Sequence, residues 1–550
     1  MIFIKKTATY SRSLFLNPSP IPTASVRPTY DRVQNMGSLW SADTRLKHFA
    51  FLGLFALAVT TFLGKPDATS LQALDSTTHA VISLEASKGG LLPNLPMQDP
   101  GIDPNRISRF NDHPFPLFFI VGKTMRLLGP SSFSARLIPA LFSTGCVLLL
   151  AWLGALLFNP AAGLISGLIL ILSRDFLLIG SRFHLDTPMI FFILLSFVLW
   201  TKNMPLGAGI ASGFGLWMKT PVAFLLYPSM LLALILSGEL ERKKILNLIQ
   251  SGLIALAVGS SVWILTGMIG GWDLPLDYWN RQVWGTAVGG RGGGGPIDFG
   301  MGIDRLKSTY IPWNLALLFS LFMIFLKKRW KVSSIAIPLA AALVMEGVIS
   351  AMRFKFFWYY LPIYPFLALI CVVPIREFLE TRKQTIYSGF VGLGIIIPLI
   401  LLCSPIQLGP ENFPALRKFS PMIQSYGSAS DQVLFIHGKQ PYGGHLDSVY
   451  ELTFYTGRKV LQGFCESAES QIAVEKPEWI VVSGENFNHC LKPETRALYP
   501  VQYRFGTQHL LSRIIPAGSN QDLTPLRLEL KPPLDGASEP TSDDPYFPRN

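Results

Sequence analysis

Long apolar runs separated by short polar breaks fill the chain from His48 to Ser404. Eleven runs are candidate membrane-crossing helices: 48–64, 136–158, 161–179, 187–201, 205–217, 221–237, 247–270, 311–326, 333–350, 360–376 and 386–404. A crossing helix needs about 20 apolar residues to traverse roughly 30 Å of hydrocarbon, so the shorter runs, 205–217 above all, are marginal. Pro and Gly at the breaks end helices by removing a donor or loosening the backbone. Two further stretches have a mixed pattern. Residues 75–88 are amphipathic, and Leu117–Leu128 carries Lys123 and Arg126 among apolar positions, as an interfacial helix does. Beyond residue 405 the pattern changes to short apolar runs, Asp431–His437 and Glu478–Ser483, that read as buried strands. The pattern predicts a polytopic α-helical membrane protein of about 11 transmembrane helices, with interfacial helices and a small C-terminal α/β domain.

Composition agrees. Of 550 residues, 49% are hydrophobic and only 15% charged, against roughly 25% charged in a soluble domain. The mean hydropathy is +0.37. Such a chain is neither disordered, nor a coiled coil, nor a nucleic-acid-binding module. The net charge of +12 is uneven. Residues 1–405 hold 34 Lys and Arg against 19 Asp and Glu, whereas residues 406–550 hold 13 against 16. The basic excess therefore belongs to the membrane part, where Lys and Arg mark cytoplasmic loops. One choice of orientation collects Arg242-Lys243-Lys244, Lys327-Lys328-Arg329 with Lys331, and Arg376 with Arg382-Lys383 on the cytoplasmic side. It places segments 65–135, 180–186, 218–220, 271–310 and 351–359, and the tail from 406, on the other side.

The expected organisation is an N-terminal cytoplasmic tail (1–47), a transmembrane module (48–405) with outside loops 65–135 and 271–310, an outside α/β domain (406–531) and a disordered end (532–550). No secretory signal is visible in 1–47, and translation from Met1 or from Met36 remains open. Cys146, Cys371 and Cys403 lie in apolar runs as packing residues. Cys465 and Cys490 fall in the outside domain, where oxidising conditions allow a bridge that spacing alone does not establish.

Ionisable residues cluster beside apolar sequence on the outside face. Acids occur at Asp75, Asp112 (followed by His113-Pro114) and Asp186, and each alone could be a helix cap or turn former. Their collection on one side of the membrane favours a site. Cations fall on the same side: Lys219 between two apolar runs, Arg281 and Arg291 in the long loop, and Arg353 and Lys355 before an aromatic run. Snorkelling explains part of this set, but a lone Lys219 between apolar runs calls for an anionic partner. Gly292–Gly295 lacks a following Lys-Ser/Thr and is no phosphate-binding P-loop.

These residues, in order, resemble the GT-C glycosyltransferases of the lipid-A aminoarabinose transferase and protein O-mannosyltransferase type. The resemblance covers about residues 50–380. It rests on Asp75 opening the first loop, Phe110-Asn111-Asp112-His113-Pro114-Phe115-Pro116, Ser134-Ala135-Arg136-Leu137, Arg182-Phe183-His184-Leu185-Asp186-Thr187-Pro188, Lys219-Thr220-Pro221 and Trp358-Tyr359-Tyr360-Leu361-Pro362-Ile363-Tyr364-Pro365. In the tail, Phe454-Tyr455-Thr456-Gly457-Arg458-Lys459-Val460 is similar to related enzymes. His113 stands where many relatives carry Lys, Phe115 interrupts a Pro-Pro, and Thr220 replaces a common Gly.

The resemblance implies transfer of a hexose or pentose from a polyprenyl-phosphate carrier to an acceptor hydroxyl on a lipid, glycan or protein. Transfer would occur on the non-cytoplasmic face, with inversion. Asp75 is the expected base and Asp186 a second catalytic or orienting carboxylate. Lys219, Arg291, His113, Lys355 and Arg353 are the expected donor-phosphate ligands. Asp112 would orient His113 or hold a cation; a divalent metal is compatible with the site without being required, and no other cofactor is expected. The alternative class is a polytopic transporter or lipid flippase, which would carry its ionisable residues near the bilayer midplane.

Overall fold

The computed structural model describes residues 42–64, 71, 74–89, 92, 112–219, 221–288, 297, 300–403, 414–428, 430–437, 446–505, 508–513 and 521–522. Arg291, the glycine run beside it, and the segments 1–41 and 532–550 lie outside the described residues.

Every one of the eleven apolar runs is helical, and the helices divide by length. Five are long and apolar enough to cross a membrane: α1 (Ala42–Leu63), α4 (Ser132–Leu157), α10 (Arg242–Gly270), α13 (Ser333–Ala351) and α15 (Lys383–Cys403). A sixth candidate is bent: α5 (Pro160–Leu172) and α6 (Arg174–Gly180) meet at 73°. The other runs form α7 (Asp186–Thr201), α8 (Pro205–Met218), α9 (Leu226–Ser237), α12 (Trp313–Leu326) and α14 (Tyr364–Val372). At 1.5 Å per residue, these fall short of roughly 30 Å unless extended by adjoining turns such as the 3₁₀ segments Val222–Leu225 and Phe357–Ile363. Among the described residues, length and composition alone qualify five helices as spans, or six if the bent pair is one span. Breaks at Ser173, Leu185 and Lys219 shorten the neighbouring helices.

Local sequence accounts for two of the helix starts. Ser131 and Ser134 form a reciprocal capping box at α4. Asn159 accepts from the Ala162 N–H with Pro160 following it, the arrangement in which a missing donor costs nothing. Tight crossings use glycine. A Cβ on Gly53 would stand 2.2 Å from the Phe390 carbonyl oxygen where α1 meets α15, and one on Gly163 would stand 2.1 Å from that of Ala151 between α5 and α4. Small residues permit such close backbone approach in lipid. Large apolar side chains such as Leu253, Met268, Leu315, Leu318 and Phe322 point outward from α10 and α12, a surface suited to acyl chains rather than water.

Two shorter helices cover one end of the bundle. They are α2 (Leu74–Ser87) and α3 (Pro116–Leu128), the two amphipathic stretches of the sequence; α3 buries Leu117, Phe118, Val121 and Met125. A ten-residue helix, α11 (Gly300–Thr309), follows the long loop.

The C-terminal region forms a mixed sheet. Its elements run α16 (Pro414–Tyr426), β1 (Gln432–His437), α17 (Leu446–Thr456), β2 (Lys459–Phe464), α18 (Ala468–Glu475), β3 (Trp479–Ser483), β4 (Val501–Phe505), β5 (Gln508–Ser512) and β6 (Gln521–Asp522), in the strand order β2-β1-β3-β5-β4-β6. β1 pairs in parallel with β2 and β3 through helical crossovers, and β5 runs antiparallel to both β3 and β4. Val433 and Phe435 pack with Phe419, Leu452 and Trp479 on one face, while Leu434 and Ile436 pack with Ile472, Ile480 and Val482 on the other. Burial on both faces explains why β1 and β3 read as unbroken apolar runs. α17 packs along α2, and the Ser132 and Tyr455 hydroxyls hydrogen-bond at 2.5 Å, so the sheet sits at the end of the bundle that α2 covers.

Cys465 and Cys490 are joined in a disulfide, which resolves the open pairing. Closing a loop of separation 25 restrains the unfolded chain by about 3.5 kcal/mol in the chain-entropy account. Replacing both cysteines by serine is expected to destabilise the sheet region by a comparable amount, read from denaturant-dependent proteolysis of the tail, with the helical bundle unaffected.

Candidate active site at the covered end of the bundle

α7 and α8 are antiparallel neighbours, so the first residue of α7 and the residue ending α8 lie at the same end. This brings Asp186 to Lys219. The ammonium meets both carboxylate oxygens, at 2.8 and 2.9 Å. Asp186 is 1% exposed and Lys219 13%, and the Lys219 Nζ also stands 4.7 Å from the centre of the Tyr359 ring. Burial works against the Lys219 charge, but the Asp186 carboxylate outweighs it and holds the ammonium above its ordinary pKa. The start of α7 adds a favourable dipole for the acid.

Asp186 also meets an imidazole. His184 Nδ1 is 3.0 Å from Asp186 Oδ2, and its Nε2 is 3.5 Å from Asp75 Oδ2. His184 thus lies between two carboxylates, hydrogen-bonded to Asp186 and within ion-pair distance of Asp75. Asp75 is the open end of the series, 31% exposed where His184 is 3%. The Trp358 ring closes one side of His184 at 5.4 Å between centroids. His79, one turn beyond Asp75 on α2, lies 6.1 Å from His184 and 5.8 Å from His113, with its Nδ1 3.1 Å from the Phe183 carbonyl oxygen. Burial pushes the His79 pKa down to about 4.

The remaining sequence candidates divide. His113 adjoins the cluster through His79. Asp112, expected to orient His113 or hold a cation, pairs instead with Arg281 and accepts from Gln282 Nε2 at 2.9 Å. Burial opposes the Arg281 charge, but Asp112 and then Asp277 hold its pKa up. Lys355 donates to the carbonyl oxygens of Ser350 and Met352, at 2.7 and 3.1 Å, and so caps the end of α13. Arg353 is exposed, its N–H bonded to the Ala287 carbonyl. Arg291 lies outside the described residues. Among the described residues no group of three metal-ligating side chains assembles.

In the sequence His184 is only part of a motif, and its placement two residues before Asp186 is the signal for its position. A second network was not apparent in the sequence. Asp175, 1% exposed, receives Arg305 through two hydrogen bonds of 2.8 Å, Tyr364 at 2.8 Å and Thr309 at 2.9 Å. The Arg305 guanidinium lies 4.2 Å from the Phe357 ring centre, and Phe357 adjoins Trp358, the neighbour of His184.

Two outcomes follow from this geometry. Lys219→Met, which strands a buried carboxylate, is expected to cost about 3–5 kcal/mol; adding Asp186→Leu restores much of that, and thermal unfolding of both proteins in one detergent reads the difference. The folded chain keeps His79 neutral down to about pH 4, whereas the unfolded chain takes up a proton near 6.5. The unfolded state therefore binds more protons between those values, and stability falls as pH drops from about 6.5 to 4. His79→Gln is expected to flatten that part of the stability–pH curve.

Comparison with known proteins places this arrangement. The family model described as dolichyl-phosphate-mannose-protein mannosyltransferase matches residues 112–264. The structure of ArnT from Cupriavidus metallidurans bound to undecaprenyl phosphate superposes with a TM-score of 0.60 at 13% identity, covering 84% of this chain and 97% of that one. Its apo form gives 0.59 at 13% identity, with the same coverage. The archaeal oligosaccharyltransferase AglB from Archaeoglobus fulgidus, solved with an inhibitory peptide and a dolichol-phosphate, gives 0.46 at 13% identity over 81% and 70%. No curated protein sequence matches the chain. The chain thus has the GT-C membrane fold shared with ArnT, and across residues 112–264 it matches the dolichyl-phosphate-mannose-protein mannosyltransferase family.

Proposed function

We propose that this protein is a membrane glycosyltransferase that moves a sugar from a polyprenyl-phosphate carrier to an acceptor hydroxyl. The reaction occurs at the bundle end carrying Asp75, on the non-cytoplasmic side of the membrane. The observation carrying this reading is the part-exposed Asp75 carboxylate beside a buried His184–Asp186–Lys219 series. The fold shared with ArnT, whose solved complex holds undecaprenyl phosphate, supports the donor class.

In this reading Asp75 accepts the acceptor hydroxyl's proton as that oxygen bonds to the anomeric carbon. The bond from that carbon to the carrier's phosphate oxygen breaks, and its electron pair leaves with the lipid phosphate. A single displacement of this kind inverts the anomeric centre. His184 holds Asp75 from behind and is itself fixed by Asp186, while Lys219 neutralises Asp186 and adds positive potential near the leaving group. Arg291, His113 and Arg353 are the further cations assigned to the departing phosphate, whereas Lys355 is occupied by the carbonyl oxygens of Ser350 and Met352. Preorganised charges at the edge of a low-dielectric bundle act more strongly than in water and need no reorientation as the reaction proceeds.

Asp75→Asn is expected to lower transfer by 10² to 10⁴-fold, the range for loss of general base catalysis, without changing the thermal midpoint by more than a few degrees. The assay is transfer from a radiolabelled polyprenyl-phosphate sugar to lipid, glycan and protein extracts. Full activity in a folded Asp75→Asn protein would remove Asp75 as the base.

A further inference from the structure

At the opposite end of the bundle from Asp75 lies a cavity of about 340 Å³, within the range of small-ligand sites, about 300–1,000 Å³. It sits where α4, α7 and α9 finish and where α8, α10 and α13 begin. One wall is apolar, with Trp200, Met230, Leu234 and Ile337; the other is polar, with Asn203, Asn247, Ser333 and Ser334. These four side chains make no hydrogen bond to any described residue, and all retain some exposure. Glu239 and Lys244 complete the lining and are paired with each other at 2.8 Å.

The surroundings are strongly cationic. Lys202, Arg242, Lys243 and Lys331 lie within two residues in sequence of lining positions, and none has a carboxylate partner among the described residues. The Lys202 ammonium rests on the Trp152 ring at 4.6 Å. The backbone adds to this potential: α8, α10 and α13 all start here without a side-chain cap, so the free N–H groups of three helix starts face one region. Just beyond the cavity, Leu206, Leu231, Ile235 and Leu246 are exposed apolar residues. The combination is a polar, positively polarised hollow rimmed by cations and bordered by a lipid-facing apolar surface.

We propose that this cavity seats the phosphodiester headgroup of an anionic phospholipid, whose acyl chains lie along the apolar surface beside it. Unpaired cations at the boundary of a membrane helix bundle draw anionic lipids. The unsatisfied hydroxyls, amides and helix-start N–H groups supply donors to the phosphate oxygens. The polar wall is too restricted for a large solute and too wet for a hydrocarbon chain. The proposal does not depend on the transferase reading, since the site lies at the other end of the helices.

The test uses the full-length protein in a neutral detergent, titrated with dihexanoyl phosphatidylglycerol, dihexanoyl phosphatidylcholine or inorganic phosphate. Binding is read by native mass spectrometry and by the thermal midpoint. Phosphatidylglycerol is expected to bind at least tenfold more tightly than phosphatidylcholine and to raise the midpoint, while phosphate alone leaves it unmoved. Ser334→Asp places an anion at the start of α13, where an acid favours the helix but repels a phosphate. It should weaken phosphatidylglycerol binding at least tenfold, and Asn247→Asp should do the same if Ser334→Asp fails to fold. Equal affinity for the two lipids, a full midpoint shift with inorganic phosphate, or undiminished phosphatidylglycerol binding by a folded aspartate variant would each overturn the proposal.

Discussion

A carboxylate at the first residue of α7 is almost sealed from water, and a single lysine at the end of α8 balances it. The Asp186–Lys219 pair governs the covered end of the bundle, because an ionised group in so dry a place stands only while its partner remains. The pair fixes the two helix ends against each other and fixes Tyr359 over the ammonium. Through Asp186 it also fixes the plane of His184. Asp75 is then the part-exposed carboxylate of the series. The ionisable groups differ in burial: Asp186 and Lys219 are almost enclosed, whereas Asp75 is part-exposed.

Comparable pairings stitch the remaining segments to that end. Asp175, at the short helix after the 73° bend, gathers Arg305 and Thr309 of α11 and Tyr364 of α14. Arg281 ties the long loop to Asp112 at the entrance of α3. The aromatic contacts from Phe357 through Trp358 to His184 connect the Asp175 network to the candidate site. Loops that would otherwise be independent are thus held by charge-assisted bonds with fixed geometry. At the opposite end Lys244 pairs with Glu239 and Glu241, Arg329 with Glu377 and Lys383 with Glu380, while Lys202, Arg242, Lys243 and Lys331 have no carboxylate partner among the described residues.

Helix positions, the interfacial stretches and the two central strands were legible in the sequence because each depends on local periodicity. Apolar runs bounded by Pro, Gly and polar residues gave the membrane helices; two-faced burial gave β1 and β3. The shorter runs, 205–217 above all, were already marginal in the sequence; where their helices end, at Met218, or begin, at Asp186, is set by packing. The Cys465–Cys490 bridge likewise depended on β2 and β3 being brought near each other by the sheet.

For the site, the sequence by itself determined the chemical inventory: acids at 75, 112 and 186, a lysine stranded at 219, and histidines beside them. Only the tertiary structure decided their partners. Asp186 took Lys219 and His184, whereas Asp112 turned to Arg281 and Lys355 to the carbonyls of its own helix end. Sequence spacing sets which helix a charge rides on, but the partner of a buried charge is set by which helix ends meet. That is fixed by packing among residues more than a hundred positions apart, as in Asp75 and His184 or Asp175 and Arg305.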